Sequence, residues 1–373
     1  MHRVLLLGAG KIGQAAAHFL SAAGGYDVLV ADADERALAR LESGDGLSTL
    51  HLDAANPQAL RNAMAGRHAV LSALSFDMNR AVAEAALDSG SSYFDLTEDV
   101  ETTKFVKAVA AKASDGQVFM PQCGLAPGFV SVAAYDLTRQ FDKLDEVRLR
   151  VGALPQFPTN EMKYNLTWST DGLINEYGNP CEAIHDGRAI ATLPLEGLEH
   201  FSLDGIDYEA FNTSGGVGTL CETLDARVRN LDYKTIRYRG HRELFVFLMN
   251  ELRLNARRAV LKDILENAVP ATPQDVVLIF CTVSGWRDGR LVQLTDARKI
   301  YHGTCMGRDY SAIQMTTASA LCAAVDLHFA GALPGRGFVR QEQVSLDTFL
   351  SNRFGKCYAT PERVVPARAE MAL

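Results

Sequence analysis

A glycine-rich stretch near the start of the chain has the residue types and the spacing to bind a dinucleotide. The apolar run 4–7 leads into GAGKIG at positions 8–13, which fits G-x-G-x-x-G, and a stretch typical of a helix follows. In this pattern Gly8 permits the tight turn, Gly10 lets the backbone approach a pyrophosphate, and Gly13 lets the helix lie close to the sheet. Free N–H groups at the start of the helix then attract phosphate oxygens. We expect the cofactor-binding loop to comprise Gly8, Gly10, Lys11, Ile12 and Gly13.

An acidic residue at the end of the next apolar run indicates which dinucleotide is bound. Asp32 follows the run 28–31 and stands 19 residues after Gly13. Its carboxylate can accept hydrogen bonds from both hydroxyls of the adenosine ribose and would repel a 2′-phosphate, so the sequence favours NAD over NADP. Asp53, at the end of the third predicted strand, either lies near the adenine or caps a turn.

Three loops beyond later strands carry further polar groups, at 72–77, 95–99 and 122–128. Ligands of open parallel sheets bind beyond the carboxyl ends of the strands, so these loops are candidates for the site. The first two contain carboxylates, and the Gly-Leu-Ala-Pro-Gly turn of the third would present backbone groups to a ligand. Cys123 in the third loop is either a packing residue or a reactive thiol, and only a lowered pKa would make it reactive.

Polar segments in the second half of the chain could hold a substrate beside the cofactor, and they are 164–170, 211–216 and 232–241. A nicotinamide cofactor needs a substrate carbon that exchanges hydride and a base for the attached N–H or O–H. Arg237 could clamp a carboxylate through two hydrogen bonds, and Lys234 or His241 could transfer a proton. The alternative for this last segment is a solvated basic strand edge. Trp168 is more typical of a core or a pocket wall than of a catalyst.

Strands alternate with helices in the first third of the chain, which is typical of a doubly wound parallel sheet. The predicted strands are 4–7, 28–31, 48–53, 69–74, 92–96 and 117–122, and the predicted helices are 14–22, 34–43, 57–66, 79–89 and 101–114. From about Asp145 the residues alternate between apolar and charged, and a hairpin signal stands at 287–290, so a mixed or antiparallel sheet is expected there. Helices are predicted at 241–253 and 257–267.

A long apolar stretch at 311–331 predicts a further helix. Gln314, Asp326 and His328 interrupt it, which favours a buried helix over a membrane span. The expected fold class is α/β, a Rossmann doubly wound parallel sheet plus a second α+β domain with a mixed sheet. We expect a cofactor-binding domain at 1–127, a substrate-binding and dimerisation domain at 128–310, and C-terminal helices that pack back on the first domain at 311–373.

Length and composition exclude several classes of protein. The chain has 373 residues, 47% hydrophobic and 22% charged, which is typical of a globular protein of two domains. A net charge of −8 argues against nucleic acid or an anionic membrane as partner. The seven cysteines include no C-x-x-C pair, which favours reduced thiols and a cytoplasmic location, and no cluster has the spacing of a metal site.

Five segments together resemble the saccharopine dehydrogenase-like family, most closely its L-lysine 6-dehydrogenase branch, and they read GAGKIG, QCGLAPGFVSVAA, WSTDGLINEYGNP, FNTSGG and NLDYKTIRYRGH. The resemblance runs from residue 1 to about 300. It implies a homodimer and an NAD-dependent oxidation of L-lysine at C6, which yields 2-aminoadipate 6-semialdehyde and ammonia. Saccharopine reductases, which the resemblance also covers, act on the same carbon with glutamate as the leaving amine, usually with NADP.

The resemblance also implies roles for individual residues. Around the cofactor it places Gly8, Gly10, Gly13, Asp32, Ser75, Gly124, Leu125 and Pro127. Around the substrate carboxylate it places Thr213, Ser214 and Arg237. Further candidates for substrate contact, which do not depend on the resemblance, are Gln122, Cys123, Trp168 and Lys234. The candidates for the base are Asp95, then Glu98, then His241. One segment departs from the lysine branch: DLTED stands at 95–99 where Asp-Leu-Gly-Gly-His is expected, and its extra carboxylates suit a cationic amine.

Three interpretations follow. The first is an NAD-dependent dehydrogenase acting on lysine or another distal amine, with ornithine and polyamine derivatives as further substrates to consider. The second is a saccharopine dehydrogenase that forms or cleaves the glutamate adduct. The third, of another class, is a non-catalytic protein that binds the nicotinamide cofactor as a sensor.

Overall fold

The computed structural model describes residues 1–42, 44 and 46–359. Its first part alternates strands and helices, as predicted, because buried apolar runs such as Val4 to Leu7 alternate with stretches that carry one apolar face. The strands are β1 His2–Leu7, β2 Tyr26–Asp32, β3 Leu47–His51, β4 Ala69–Ser72, β5 Ser92–Asp95 and β6 Val118–Met120. The helices are α1 Lys11–Ala23, α2 Glu35–Leu38, α3 Pro57–Met64, α4 Asn79–Ser89 and α5 Val100–Ala110. Ser43, in the predicted helix 34–43, lies outside the described residues.

A second sheet follows, and its pattern of alternating exposure agrees with the predicted mixed sheet. Its strands are β7 Lys143–Pro155, β8 Cys181–His185, β9 Arg188–Thr192, β10 Glu199–Leu203, β11 Ile206–Asn212, β12 Asn230–Tyr238, β13 Asp275–Arg287 and β14 Arg290–Tyr301. The order is β10-β11-β12-β7-β13-β14, with β8 beside β12 and β9 beside β8. Only the pairing of β12 with β7 is parallel among these described strands. The predicted hairpin is present, since Asp288 and Gly289 join β13 to β14 with φ of 52° and 70°.

Shorter elements and helices complete the chain. The helices are α6 Phe129–Thr138, α7 Thr170–Gly178, α8 Leu220–Thr223, α9 His241–Val246, α10 Arg258–Ala268, α11 Ala312–Phe329 and α12 Leu346–Ser351, and a π-helical turn at Phe247–Glu251 extends α9. The remaining strands are β15 Gly303–Cys305, β16 Arg308–Tyr310 and β17 Gly337–Phe338. No described helix is both long and apolar enough to cross a membrane.

The first sheet has the strand order β17-β6-β5-β4-β1-β2-β3, and its pairs are all parallel. The expected α/β class is therefore confirmed, with β17 as a seventh strand that the sequence did not indicate. The chain leaves β1 for β2 on one side and later returns to β4 on the other. In open parallel sheets such a switch point opens a crevice at the carboxyl ends of the strands, where ligands bind.

The helix α11 connects the two sheets. It packs on α1, where the thiol of Cys322 lies 3.7 Å from the carbonyl oxygen of Ala16, and one core cluster continues from β1 through α6 and α11 to β13. Its N-terminus is capped by Ser311 and by the buried carboxylate of Asp275, which accepts the N–H groups of Ala312 at 2.5 Å and Ile313 at 3.0 Å. Residues 360–373 of the predicted C-terminal segment lie outside the described residues.

We expect Asp275→Ala to lower the free energy of unfolding by about 2 kcal/mol, because two buried N–H groups of α11 lose their acceptor. Chemical denaturation measures this difference. The matched control is Asp115→Ala, since Asp115 has an exposed side chain that pairs with the exposed Arg336, and its effect should stay within about 0.5 kcal/mol. Equal stability of the two variants would contradict the capping role.

Candidate active site

A cleft of about 190 Å³ opens at the switch point, between the carboxyl ends of the first sheet and one face of the second. Loops after β4, β5 and β6 line one wall, strands β7 and β12 line the opposite wall, and α7 and α11 close the sides. The polar and aromatic residues in the lining are Ser75, Phe76, Glu98, Trp168, Ser169, Glu176, Tyr233, Thr235, Arg237 and Thr317.

The glycine motif fits a pyrophosphate. A Cβ on Gly13 would lie 1.9 Å from the carbonyl oxygen of Gly8, and one on Gly8, where φ is 97°, would lie 2.8 Å from that of Ala73. A Cβ on Gly10, in contrast, would meet no atom of the described residues within 4 Å, so this position is open to a ligand. Gly10 caps α1 without a side-chain hydrogen bond, and the first turn holds no acidic residue, so the N–H groups there are available for phosphate.

The carboxylate of Asp32 is held in place at the end of β2. Its Oδ2 accepts the N–H of Ala9 at 2.6 Å, and its Oδ1 accepts the N–H of Asp34 at 2.8 Å. Asp53 caps its own turn, because its Oδ1 accepts the N–H of Ala55 at 2.9 Å, and it does not line the cleft. The side chain of Lys11 is exposed and borders a separate groove beside α1.

The other predicted cofactor residues meet at the cleft. Ile12, Ser75, Gly124, Leu125 and Pro127 all contribute to its lining. The turn after β6 depends on Gly128, where φ is 136° and a Cβ would lie 2.0 Å from the carbonyl oxygen of Gly124. This tight turn brings the backbone of the loop to the wall of the cleft.

Two predicted base candidates, Asp95 at the end of β5 and Glu98 in the loop that follows, have different surroundings. Glu98 lines the cleft, and its Oε1 accepts a hydrogen bond from Nδ2 of Asn175 at 3.3 Å. Burial raises the pKa of Glu98 to about 7. Asp95 is fully buried and lies outside the lining. Its carboxylate accepts the Tyr93 hydroxyl at 2.5 Å and the N–H groups of Thr97 and Gln122, each at 2.9 Å, so it braces the loops instead of facing a substrate.

Strand β12 separates two predicted substrate residues. Side chains alternate between the faces of a strand, so Tyr233, Thr235 and Arg237 face the cleft while Lys234 faces away. The ammonium of Lys234 donates to the carbonyl oxygen of Gly197 at 2.6 Å and to Oε1 of Glu199 at 2.5 Å. The structure therefore places Lys234 in an ion-pair network on the far face, not in the cleft.

Arg237 and His241 also differ in their access to the cleft. Arg237 is 2% exposed and lines the cleft, with Nε donating to the Tyr177 hydroxyl at 2.9 Å. His241 lies behind Tyr177, fully buried and outside the lining. Burial, and then the charge of Arg237, lowers the pKa of His241 to about 3. The imidazole is therefore neutral and is shielded from the cleft.

Of the remaining predicted substrate residues, one lines the cleft and the others lie outside its lining. Trp168 lines the cleft, whereas Gln122 donates to the Thr103 hydroxyl at 3.2 Å and borders a different groove. Burial raises the pKa of the Cys123 thiol, so it is a packing residue and not a reactive one.

The segment FNTSGG supports the cleft from behind. Thr213 and Ser214 are buried and do not line it, and the N–H of Ser214 donates to the carbonyl oxygen of Glu176 at 2.9 Å. A Cβ on Gly215 would lie 2.2 Å from the carbonyl oxygen of Glu98, and one on Gly216 would lie 2.2 Å from the Tyr233 ring. The two glycines therefore serve close packing against cleft residues.

Sequence reasoning missed Glu176. It lies on α7, is 6% exposed and lines the cleft. Burial, and then the nearby charge of Glu98, raises its pKa well above the usual range, while Arg237 acts in the opposite direction. The sequence did offer one signal, a glutamate close to the apolar residues 173–174 of a short helix. A glutamate on the buried side of a helix is uncommon and is a candidate for a functional site. The described lining of the cleft thus combines one guanidinium with two carboxylates, of which Glu176 is buried and Glu98 is half-buried.

Two family models match the chain: the saccharopine dehydrogenase NADP binding domain at residues 4–120 and the saccharopine dehydrogenase C-terminal domain at residues 124–354. Among solved structures, the chain is similar to apo saccharopine dehydrogenase (L-Glu forming) from Saccharomyces cerevisiae, with 18% identity, coverage of 93% of this chain and 95% of that chain, and a TM-score of 0.76. A myo-inositol dehydrogenase from Corynebacterium glutamicum matches at 12% identity, 91% and 90% coverage, and a TM-score of 0.44. Since the C-terminal family model alone spans more than half of the sequence, the chain belongs to the saccharopine dehydrogenase family, oxidoreductases that act on CH–NH bonds with a nicotinamide cofactor.

Proposed function

We propose that the protein is an NAD-dependent dehydrogenase that oxidises the bond between C6 and nitrogen in L-lysine, yielding 2-aminoadipate 6-semialdehyde and ammonia. The observation that supports this most is the charge balance of the cleft. Among the described residues of its lining, Arg237 is the cation, and Glu98 and Glu176 are the carboxylates. L-Lysine carries the complementary set, with one carboxylate and two ammonium groups.

The positions of the three groups suggest their roles. Glu98 follows β5 at the carboxyl edge of the first sheet, on the side where Ser75 and Leu125 would border the nicotinamide, so it is placed to take the proton of the reacting amine. Arg237 stands on the opposite wall and binds the carboxylate of the substrate. Glu176 beside it pairs with an ammonium group, whose charge favours the ionised carboxylate and offsets the effect of burial on its pKa. The loop of Gly8, Gly10 and Gly13 would hold a nicotinamide cofactor, which would supply the acceptor for the hydride of C6. Water would then hydrolyse the carbon–nitrogen double bond that remains.

The second candidate is a saccharopine dehydrogenase of the glutamate-forming type, which is the activity in the name of the yeast structure with the same fold. Saccharopine carries three carboxylates, so it needs more cationic partners than lysine does. The described lining of the cleft offers one guanidinium, which favours the smaller, more cationic substrate.

Absorbance of the reduced nicotinamide, followed at alkaline pH, tests the two candidates. NAD and NADP are each combined with L-lysine, L-saccharopine and L-ornithine. We expect reduction of NAD with lysine and release of ammonia. Activity with saccharopine alone, with release of glutamate, would instead support the second candidate, and inactivity in all six mixtures with cofactor still bound would contradict both.

We expect Asp32→Asn to lower the preference for NAD over NADP by at least about tenfold in kcat/KM, or about 1.4 kcal/mol, because the repulsion of a 2′-phosphate is lost. Asparagine keeps one acceptor for the N–H of Ala9, so the glycine loop should remain in place. The control is Asp53→Asn, which changes an exposed residue that caps its own turn and should leave the preference unchanged. An unchanged preference in Asp32→Asn would contradict this role.

A further inference from the structure

We infer that Tyr177 and His241 are positioning residues for Arg237, and that they hold its guanidinium toward the cleft through a chain of hydrogen bonds with one direction. Nε of Arg237 lies 2.9 Å from the Tyr177 hydroxyl oxygen, that oxygen lies 3.1 Å from Nε2 of His241, and Nδ1 of His241 lies 2.9 Å from the carbonyl oxygen of Met162. The inference rests on the proposed function only in identifying the carboxylate that Arg237 binds.

The direction of the chain follows from its two ends. A carbonyl oxygen only accepts, so Nδ1 of His241 must donate to Met162, and in a neutral imidazole Nε2 is then an acceptor. Tyr177 therefore donates its hydroxyl hydrogen to His241. Its oxygen keeps lone pairs that accept Nε–H of Arg237, which can only donate. Arg237 therefore donates to Tyr177, Tyr177 donates to His241, and His241 donates to Met162.

Arg237 depends on this chain because its other supports are neutral. Nη1 donates to the carbonyl oxygen of Ile236 at 2.8 Å, and the guanidinium carbon lies 5.3 Å from the centre of the Tyr164 ring and 5.8 Å from that of Tyr177. No carboxylate among the described residues forms a direct ion pair with Arg237, although Glu176 acts on it through charge, and none of them accepts from Nη2. A buried cation without a directly paired anion, on the wall of a cleft, is ready to receive an anionic ligand.

The surroundings of His241 keep it neutral. Its ring lies 4.6 Å from the ring centre of Phe245 and 5.2 Å from that of Tyr164, and its exposed fraction is 0%. A second cation beside Arg237 would be repelled, so a neutral histidine is the acceptor that this position tolerates. The structure therefore assigns His241 to orientation of the carboxylate-binding group, two contacts away from the substrate, and not to proton transfer.

Two ligands that differ in their carboxylate test the inference by competition binding. Both 6-aminohexanoate and 1,5-diaminopentane share the distal amine of lysine, but only the first has a carboxylate. In Tyr177→Phe we expect the Kd of 6-aminohexanoate to rise about tenfold, because one anchoring hydrogen bond to a charged group is lost, while the Kd values of 1,5-diaminopentane and NAD change less than about twofold. The variant keeps the ring, and thermal unfolding verifies that it folds.

Variants of His241 provide a matched pair. In His241→Gln the amide oxygen can still accept from Tyr177, whereas His241→Leu removes the acceptor. We expect the leucine variant to repeat the loss of 6-aminohexanoate affinity and the glutamine variant to recover a large part of it. Equal weakening of both ligands in Tyr177→Phe would show a merely structural role, and unchanged affinities in all variants would also overturn the inference.

A spectroscopic measurement tests the direction of these hydrogen bonds without the need for catalytic turnover. Nitrogen chemical shifts of His241 in labelled protein should show the neutral Nδ1–H tautomer across the neutral pH range. An Nε2–H tautomer or a protonated ring would overturn the proposed direction. Failure of the wild-type protein to oxidise lysine would count against the proposed function alone, because neither this spectrum nor the binding of 6-aminohexanoate depends on oxidation.

Discussion

Replacing Glu98 with glutamine is expected to lower kcat/KM for the amino-acid substrate by about 10²–10⁴-fold and to leave the Kd of NAD within about twofold. Glutamine has nearly the same shape, and its carbonyl oxygen can still accept from Asn175, but it cannot take a proton from the reacting amine. The control is Glu101→Gln. That residue is close in sequence but exposed, and it pairs with the exposed Lys104, so its loss should leave kcat/KM unchanged.

The pH dependence distinguishes a lost base from a distorted site. Glu98 acts as a base only when it is ionised, and burial raises its pKa to about 7. In the wild-type protein kcat/KM should therefore rise as the pH increases up to about 7 and then level off. The remaining activity of Glu98→Gln should lack this rise. A rise of the same size in the variant would assign the titration to another group.

Glu98→Gln should not lose stability above neutral pH. Because the pKa of Glu98 is higher in the folded than in the unfolded protein, its ionisation destabilises the fold as the pH rises from the usual glutamate range through about 7. Glutamine removes this cost. A loss of activity together with a higher thermal unfolding temperature at alkaline pH would thus indicate a catalytic and not a folding defect.

The fold of the first sheet and its glycine motif could be predicted because the sequence patterns that indicate them are local. The spacing of Gly8, Gly10, Gly13 and Asp32 depends on one turn and one helix, and the alternation of strands and helices determines the sheet. Strand β17 was not predictable in this way. It has two residues, one of them glycine, and it pairs with β6 only because the C-terminal segment returns to the first sheet.

The substrate half depends on contacts between distant segments, which a single sequence does not contain. Asp95 and Glu98 are three residues apart, yet only Glu98 lines the cleft. Lys234 and Arg237 are also three apart, and such a spacing puts residues on opposite faces when the segment is a strand. Glu176 became a candidate only when α7 was seen beside Glu98 and Arg237.

Replacing Arg237 with methionine is expected to raise the KM for L-lysine so that kcat/KM falls by about 10²–10³-fold, or about 2.7–4.1 kcal/mol, because the carboxylate loses its buried partner. The kcat/KM of Arg237→Lys should lie between that of the wild-type protein and that of Arg237→Met, since an ammonium keeps the charge but cannot make two parallel hydrogen bonds. Steady-state kinetics with lysine, and inhibition by 1,5-diaminopentane, measure the two effects separately.

Inhibition by 1,5-diaminopentane decides what Arg237 contributes, because this diamine has both amines of lysine but no carboxylate. Its inhibition constant should change by less than about twofold in Arg237→Met, because the diamine has no carboxylate that could lose its partner. Arg239→Met is the matched control, since that arginine is two residues further on, exposed, and outside the lining. A KM for lysine that stays unchanged in Arg237→Met would mean that the carboxylate binds elsewhere, and the charge argument for lysine over saccharopine would then lose its basis.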